Sequence, residues 1–405
     1  MKVAIIGALN IEHRGGGEAN AVMFANLLSN KGFQVKYFGS GLPVDNSPHQ
    51  KIISVNFDYE ASAFSYDIMA NPFILRSSRL LSLGLIGLNN FRKTLKKIEG
   101  FDLYYFQNPT YLARKLIPLL IRQGSSVIIA NHGTYFEYLC NSNYRLFRII
   151  GKVATKFILD PLTAYGDKII IHTQNSYQKS FYVNEGFPTK RIVEIPQHNI
   201  NMYNYSINPT PNKFNVVFLG RLTESKGLDI LPDIIKMNPS ITFHIIGNGP
   251  LKSRLNDILK DKNAILYGYV DEEKKRKILS TCDAMIIPSH FESLSIAAIE
   301  GLSSGLPIIG SETASGLRYI LSKDVIFGTL VSRNSKAFSD ELEKIKNRKI
   351  TEYESVRLER IRRRDRAVEC FDGDSIASKM IEMVEKIIKP EKNFIHSSIE
   401  FTVVS

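Results

Sequence analysis

Two glutamates, Glu292 and Glu300, bracket the run Glu292-Ser293-Leu294-Ser295-Ile296-Ala297-Ala298-Ile299-Glu300. The run follows Ala284-Met285-Ile286-Ile287-Pro288-Ser289, an apolar strand pattern closed by proline. A helix beginning there turns backbone N–H groups toward phosphate. Glu300, just over two turns in, is placed to accept bonds from vicinal hydroxyls, and Glu292, ahead of the helix, to bind another polyol. Two cations, Arg221 and Lys226, lie in Phe218-Leu219-Gly220-Arg221-Leu222-Thr223-Glu224-Ser225-Lys226-Gly227, again directly after a strand pattern. A guanidinium and an ammonium converging there could neutralise a diphosphate without a metal; two solvated charges on a turn is the plainer alternative. Nearer the start, Gly15-Gly16-Gly17 separates a strand pattern from a helical one, where glycines let a phosphate approach the backbone. A tight turn explains these glycines equally well, because the spacing is not G-x-G-x-x-G.

The elements that must position these groups alternate. Val3–Ile6 reads as a strand, and a helix with Ala21, Val22, Ala25 and Leu28 on one face follows the glycines. Gly32 stops it, and Val35–Phe38 resumes strand character. Strand–helix–strand order implies a parallel sheet. Further strands are expected at Leu103–Phe106, Val127–Ala130, Lys168–His172 and Ile192–Ile195. A second alternation runs through Val216–Leu219, Ile241–Ile246, Ile265–Tyr267, Ala284–Ile287 and Ile308–Ile309, and the polar segment Asn199–Asn212 between the two reads as a linker. The expected architecture is α/β: two doubly wound Rossmann-like domains facing a cleft, with ligands at the carboxyl ends of strands.

Taken in order, the motifs resemble the retaining glycosyltransferases of family 4, which have the GT-B fold. The matching elements are Gly-Gly-x-Glu near the start, Gly-Arg-Leu…Lys-Gly at Gly220–Gly227, Gly247-Asn248-Gly249-Pro250, and Glu292 and Glu300 ahead of Gly305-Leu306-Pro307. The similarity is dense over 214–321, thinner over 1–40 and 125–135, and poor over 41–120. By this resemblance Glu300 holds the ribose hydroxyls of a nucleotide sugar and Glu292 the hydroxyls of the donor sugar. The amides of Leu294, Ser295 and Ile296, after Ser293, hold phosphate; Arg221 and Lys226, beside Gly220, stabilise the diphosphate leaving group. Gly16 and Gly17 correspond to a loop that closes on the donor, and Gly268, Tyr269 and Val270 lie near the base. His132, in Ala130-Asn131-His132-Gly133-Thr134, corresponds to a histidine facing the sugar; a lone histidine is more often structural, but this one follows a strand. The resemblance also implies residues 1–198 as an acceptor-binding domain, 199–374 as a nucleotide-sugar domain and a helix over 375–390 crossing back to the first, with 391–405 an unassigned tail.

The chain departs from the family pattern at two places. Glu292-Ser293-Leu294-Ser295 stands where many relatives have Glu-Gly-Phe-Gly, and Ile195-Pro196-Gln197-His198-Asn199 where Ile-Pro-Asn-Gly is usual. Asp372-Gly373-Asp374 reads D-x-D, a metal–nucleotide signature of another glycosyltransferase fold; ahead of Ser375-Ile376-Ala377 it reads better as a helix cap. No metal and no cofactor are expected.

Composition narrows the class. With 405 residues, 44% apolar and 23% charged, the chain is of ordinary globular make-up. Three scattered cysteines, Cys140, Cys282 and Cys370, make neither a disulfide framework nor a metal knuckle, so a cytoplasmic setting is expected. Its longest apolar run, Leu80–Leu88, is far short of a membrane span. Charge is concentrated: between Arg76 and Lys156, thirteen Lys/Arg face only Glu99, Asp102 and Glu137, against +12 for the whole chain. Mixed with large aliphatics, this suits an interfacial helix on an anionic membrane surface. Snorkelling basic side chains with nothing bound are the plainer alternative. A nucleic-acid groove would want aromatics placed for stacking, and no nucleic acid is expected. Six arginines in Arg357–Arg366 read as a solvated helix face, with a second lipid contact the alternative.

The expectation is a metal-independent retaining transferase, peripheral on the inner membrane face. It would use a nucleoside-diphosphate sugar, UDP before GDP, and a glycan or lipid-linked acceptor. The rivals are a non-catalytic scaffold of the same fold and a nucleotide-sugar epimerase. A dinucleotide oxidoreductase would need the G-x-G-x-x-G that is absent after the first strand.

Overall fold

Alternation along the first strand sets the layers of the amino-terminal half. In β1 (Lys2–Ile6), Val3 and Ile5 point to one face of the sheet and Ala4 and Ile6 to the other, and all four are buried. The computed structural model describes residues 1–7, 16–40, 58–64, 96, 98–132, 145–198, 202, 205–208, 213–260 and 262–388. Gly15, residues 76–95, Gly133, Thr134 and Cys140 lie outside the described residues. The chain divides into two compact units, Met1–Asn199 with Ile376–Ser405, and Ile200–Ser375.

The first unit continues with α1 (Gly16–Asn30), β2 (Gln34–Ser40), β3 (Asp58–Phe64), β4 (Leu103–Phe106), α2 (Tyr111–Arg122) and β5 (Ser126–Asn131). Then come α3 (Arg145–Thr163), β6 (Ile169–Thr173), α4 (Ser176–Asn184) and β7 (Ile192–Glu194). Its strands pair in parallel in the order β3-β2-β1-β4-β5-β6-β7. Helix α1 covers the Val3 and Ile5 face with Ala21, Phe24, Ala25 and Leu28, and Gly32 at φ 85° ends it. Helices α2 and α3 cover the Ala4 and Ile6 face, through Leu116, Leu120, Ile158 and Leu162.

The second unit runs β8 (Asn215–Leu219), α5 (Leu231–Met237), β9 (Thr242–Ile246), α6 (Lys252–Leu259), β10 (Ala264–Gly268), α7 (Glu272–Thr281) and β11 (Ala284–Ile287). It closes with α8 (Ile296–Ser303), β12 (Ile308–Ser311), α9 (Ser315–Leu321), β13 (Gly328–Val331), α10 (Ser335–Thr351) and α11 (Tyr353–Phe371). Its parallel sheet has the order β10-β9-β8-β11-β12-β13. Helix α12 (Gly373–Ile388) then returns to the first unit, where Ile376, Met380, Ile381, Met383 and Val384 join the Val3 and Ile5 face. Asp372 caps it, accepting the Ser375 N–H at 2.8 Å, so the D-x-D serves as a helix start.

Four expectations change. Strands β3 and β13 carry no apolar run; both are sheet edges, where one flank needs no partner. The segment read as a linker contributes Met202 and Tyr205 to the second core, and the Asn208 N–H bonds the Ser280 carbonyl at 2.9 Å. Gly16 and Gly17 form the first turn of α1 instead of preceding it. The arginine run on α11 is not wholly solvated. Arg360 is buried and donates to the carbonyls of Ser304, Cys282 and Ser280, while Arg363, also buried, donates to those of Ile326 and Gly305. Apart from that of Ser280, which also accepts the Asn208 N–H, these carbonyls come from turns and helix ends, so the guanidinium forks satisfy what burial would orphan.

Candidate functional site

The second sheet reads β10-β9-β8 in one direction and β11-β12-β13 in the other, so its connections part between β8 and β11. Open parallel sheets bind ligands beside such a switch point. Gly220 and Arg221 leave β8 there, and a single 3-10 turn, Glu224–Lys226, follows. Gly227, at φ 88°, closes that turn so tightly that a Cβ would stand 2.3 Å from the Pro288 carbonyl oxygen. Only glycine permits this approach, and through it Lys226 Nζ reaches Glu292 Oε1 at 2.8 Å. The Ser289 hydroxyl donates to the same oxygen at 2.8 Å, and the Gly316 N–H holds the Glu292 carbonyl. Glu292 is the more enclosed partner, its side chain 10% exposed against 31% for Lys226. Arg221 is exposed on the same loop. That loop is fixed from beneath by β9: the Gly220 N–H bonds the Ile246 carbonyl, and the Leu222 N–H that of Asn248. At Gly247, φ 143°, a Cβ would lie 1.8 Å from the Gly220 oxygen.

Beyond Glu292, Ser293 leads to the buried Leu294 and Ser295, and the Ser295 hydroxyl caps α8 by accepting the Ala298 N–H at 3.4 Å. Ile296 opens the helix, and Glu300 is buried within it. Its Oε1 takes a 2.5 Å bond from Lys275 of α7, which also holds Glu272 at 2.6 Å. The Tyr205 hydroxyl is a further partner of Glu300. Burial raises the Glu300 pKa, and the Lys275 charge pulls against that rise. Burial opposes the charge on Lys275, but its two carboxylates prevail and its pKa goes up. The two glutamates therefore do not share a cation; each has its own lysine. Gly268, at φ 69°, ends β10 with its carbonyl on the Gly247 N–H, Tyr269 stands 51% exposed, and Val270 packs on the core. All the candidates of this unit thus gather at the carboxyl ends of β8, β10 and β11.

In the first unit, His132 follows β5 and joins a buried polar chain. Gln174 Oε1 accepts the Gln197 N–H at 2.8 Å, which turns its amide nitrogen to His132 Nδ1 at 3.3 Å. Nδ1 is therefore the unprotonated acceptor, and Nε2 carries the hydrogen toward the Tyr105 hydroxyl at 3.2 Å. His172 Nε2 donates to the Ile195 carbonyl at 2.9 Å, leaving Nδ1 unprotonated. The single Tyr105 proton is shared between His172 Nδ1 and Gln197 Oε1, both at 3.1 Å. Gln197 in turn clasps Asn20 of α1 by two 2.9 Å bonds. Burial, helped by the neighbouring His172, lowers the His132 pKa to about 3; burial lowers His172 to about 4 against the pull of the Ile195 carbonyl. Both rings are neutral at physiological pH.

Sequence reasoning missed Lys275, Tyr205, Tyr105, His172, Gln174 and Gln197. Gln197 alone left a signal, in the departure at Ile195–Asn199. The others are hidden in ordinary strand, helix and linker patterns.

Residues 205–363 match the family described as glycosyl transferases group 1, and the fold of two parallel-sheet units is that of GT-B glycosyltransferase structures. Among curated proteins, the processive diacylglycerol alpha-glucosyltransferase of Acholeplasma laidlawii is 25% identical over 250 residues, 57% of this chain and 72% of that protein. The sulfoquinovosyl transferase SQD2 of Arabidopsis thaliana is 28% identical over 117 residues, 29% of this chain and 23% of that protein. Among solved structures, Anabaena Alr3699/HepE in complex with UDP and glucose has a TM-score of 0.69 at 14% identity, covering 95% of this chain and 99% of that one. That likeness establishes the fold.

Proposed function

We propose that the protein is a retaining glycosyltransferase that moves a sugar from a nucleoside-diphosphate sugar, UDP before GDP, to a glycan or lipid-linked acceptor at the cytosolic face of a membrane. The observation that carries this reading is the pair Lys226–Glu292 at the switch point, one residue run ahead of the capped start of α8 and its buried Glu300. Glycosyl transfer builds oxocarbenium character on the sugar and negative charge on the departing diphosphate. Arg221, Lys226 and the N-terminus of α8 would stabilise that charge, Glu292 would hold donor hydroxyls, and Glu300 would accept the ribose hydroxyls. His132, neutral with Nε2 protonated, would present a dipole instead of a charge to the sugar. Two further supports come from named relatives: the Anabaena protein was solved with UDP and glucose, and the Acholeplasma enzyme acts on diacylglycerol.

The test is thermal stability with UDP, GDP, ADP and NAD in EDTA, on wild type and Glu300→Ala. A ligand at about 100 times its dissociation constant adds roughly 2.7 kcal/mol, about 5–10 °C for a unit of this size. One nucleoside diphosphate should stabilise the wild type and not the variant. No nucleotide effect, or an effect of NAD alone, refutes the reading.

A further inference from the structure

Helix α3 has two apolar sides. One is buried: Ala154, Ile158, Leu159 and Leu162 pack into the first unit. The other is exposed, and its residues form a single row, Leu146, Ile149, Val153 and Phe157, at intervals of three, four and four. They stand 64%, 50%, 59% and 44% exposed. Arg145, Arg148, Lys152 and Lys156, each exposed, repeat the same spacing one position earlier. At about 100° per residue this is a basic row flanking the apolar one. Arg114 of α2 extends the basic row, its guanidinium lying 4.0 Å from the centre of the Phe157 ring. Asp160 is the sole acid on the helix.

A solvated helix face does not carry four large apolar side chains in register. A protein groove would need a partner shaped to one convex row about 16 Å long. A fluid anionic surface needs no such shape: acyl chains receive the apolar row while headgroup phosphates meet the basic one. We propose that α3 seats the first unit on anionic lipid, with Leu146, Ile149, Val153 and Phe157 below the phosphates and Arg145, Arg148, Lys152 and Lys156 among them. The inference rests on the membrane-face part of the proposed function and names the element responsible.

The chain contains no tryptophan, so Phe157→Trp gives the full-length protein a single indole probe on this row. Leu358→Trp, at a position 54% exposed on α11, is the control. Vesicles of phosphatidylcholine with about a third phosphatidylglycerol should shift the emission of Phe157→Trp to the blue and leave that of Leu358→Trp unchanged. Co-sedimentation of Ile149→Glu/Val153→Glu should fall at least about 100-fold. Replacing the four basic residues of α3 by Gln should abolish the preference over pure phosphatidylcholine, each worth about fivefold at low salt. Wild type that binds no vesicle overturns the membrane-face reading itself. Wild type that binds while Phe157→Trp shows no blue shift, or while Ile149→Glu/Val153→Glu binds equally, overturns the assignment to α3 alone. Wild-type dimers that the double glutamate variant dissociates, without vesicle binding, would give the row to a second copy and overturn the proposal.

Discussion

Replacing Lys275 by Met keeps the length and apolar bulk of the side chain and removes its charge. Glu300 then loses the 2.5 Å bond that balances its burial and keeps Glu272 as a neighbour of like charge. Both members of the pair are nearly enclosed, at 12% and 10% exposure. Breaking such a pair from one side costs about 3 kcal/mol or more, because the remaining charge stays buried without its counterion. For a unit of this size that is a fall in Tm of about 6–12 °C. The loss must depend on pH. Without the ammonium, the Glu300 pKa climbs further above its unfolded value of about 4.3. The folded state then keeps a proton that the unfolded chain releases, so stability declines as pH rises from that value through the folded pKa. Well below about pH 4 the carboxyl is neutral in both states, and toward that limit the variant should approach wild type. Scanning calorimetry of both proteins from about pH 4.5 to 8 reads this directly, with the deficit at pH 8 at least about three times that at the acid end. A deficit that is the same across the range, or below about 1 kcal/mol at pH 8, refutes the electrostatic account of the pair.

Gln174→Glu replaces the amide donor facing His132 Nδ1 with an acceptor, so the His132 pKa should rise from about 3 into the range titratable by NMR; an unmoved ring would refute the tautomer derived from the Gln197 contact. In wild type, His132 should contribute no inflection to the pH–rate profile between about pH 5 and 8. Arg360→Ala strands the Ser304 and Cys282 carbonyls and should cost about 2 kcal/mol or more in urea titration, whereas Arg362→Ala, on the same helix outside that cluster of carbonyls, should stay within about 0.5 kcal/mol. Gly247→Ala drives a Cβ into the Gly220 oxygen at positive φ and should lower stability by about 2 kcal/mol or more, with weaker nucleotide stabilisation.

Strands buried on both faces are legible because they must be apolar throughout: the expected Leu103–Phe106 and Ala284–Ile287 match β4 and β11 to the residue. The edges β3 and β13 escape for the opposite reason, and in β13 every residue keeps some exposure. Arg221, Lys226 and Glu292 can be picked out because each follows a strand, where the backbone leaves the sheet and open parallel sheets bind ligands. Lys275 cannot, since in Glu272-Glu273-Lys274-Lys275-Arg276-Lys277 nothing distinguishes the one ammonium that turns inward. Tyr105 and His172 read as strand residues, and their hydroxyl and ring nitrogens become a network only when β4, β5 and β6 lie side by side. Arg360 and Arg363 differ from the other arginines of their run only by helix phase against loops distant in sequence.

Helix α12 completes the core of a unit whose other residues end at Asn199. During synthesis, the face bearing Val3, Ile5, Leu103 and Ile128 emerges from the ribosome without Met380 and Val384. At about 5–20 residues per second the wait for them lasts roughly 10–40 s. The second unit, contiguous in the chain, can close in that interval. The first half made is therefore the last half finished, and a nascent or truncated chain stopping at Ser375 would display an uncovered apolar sheet to chaperones and proteases.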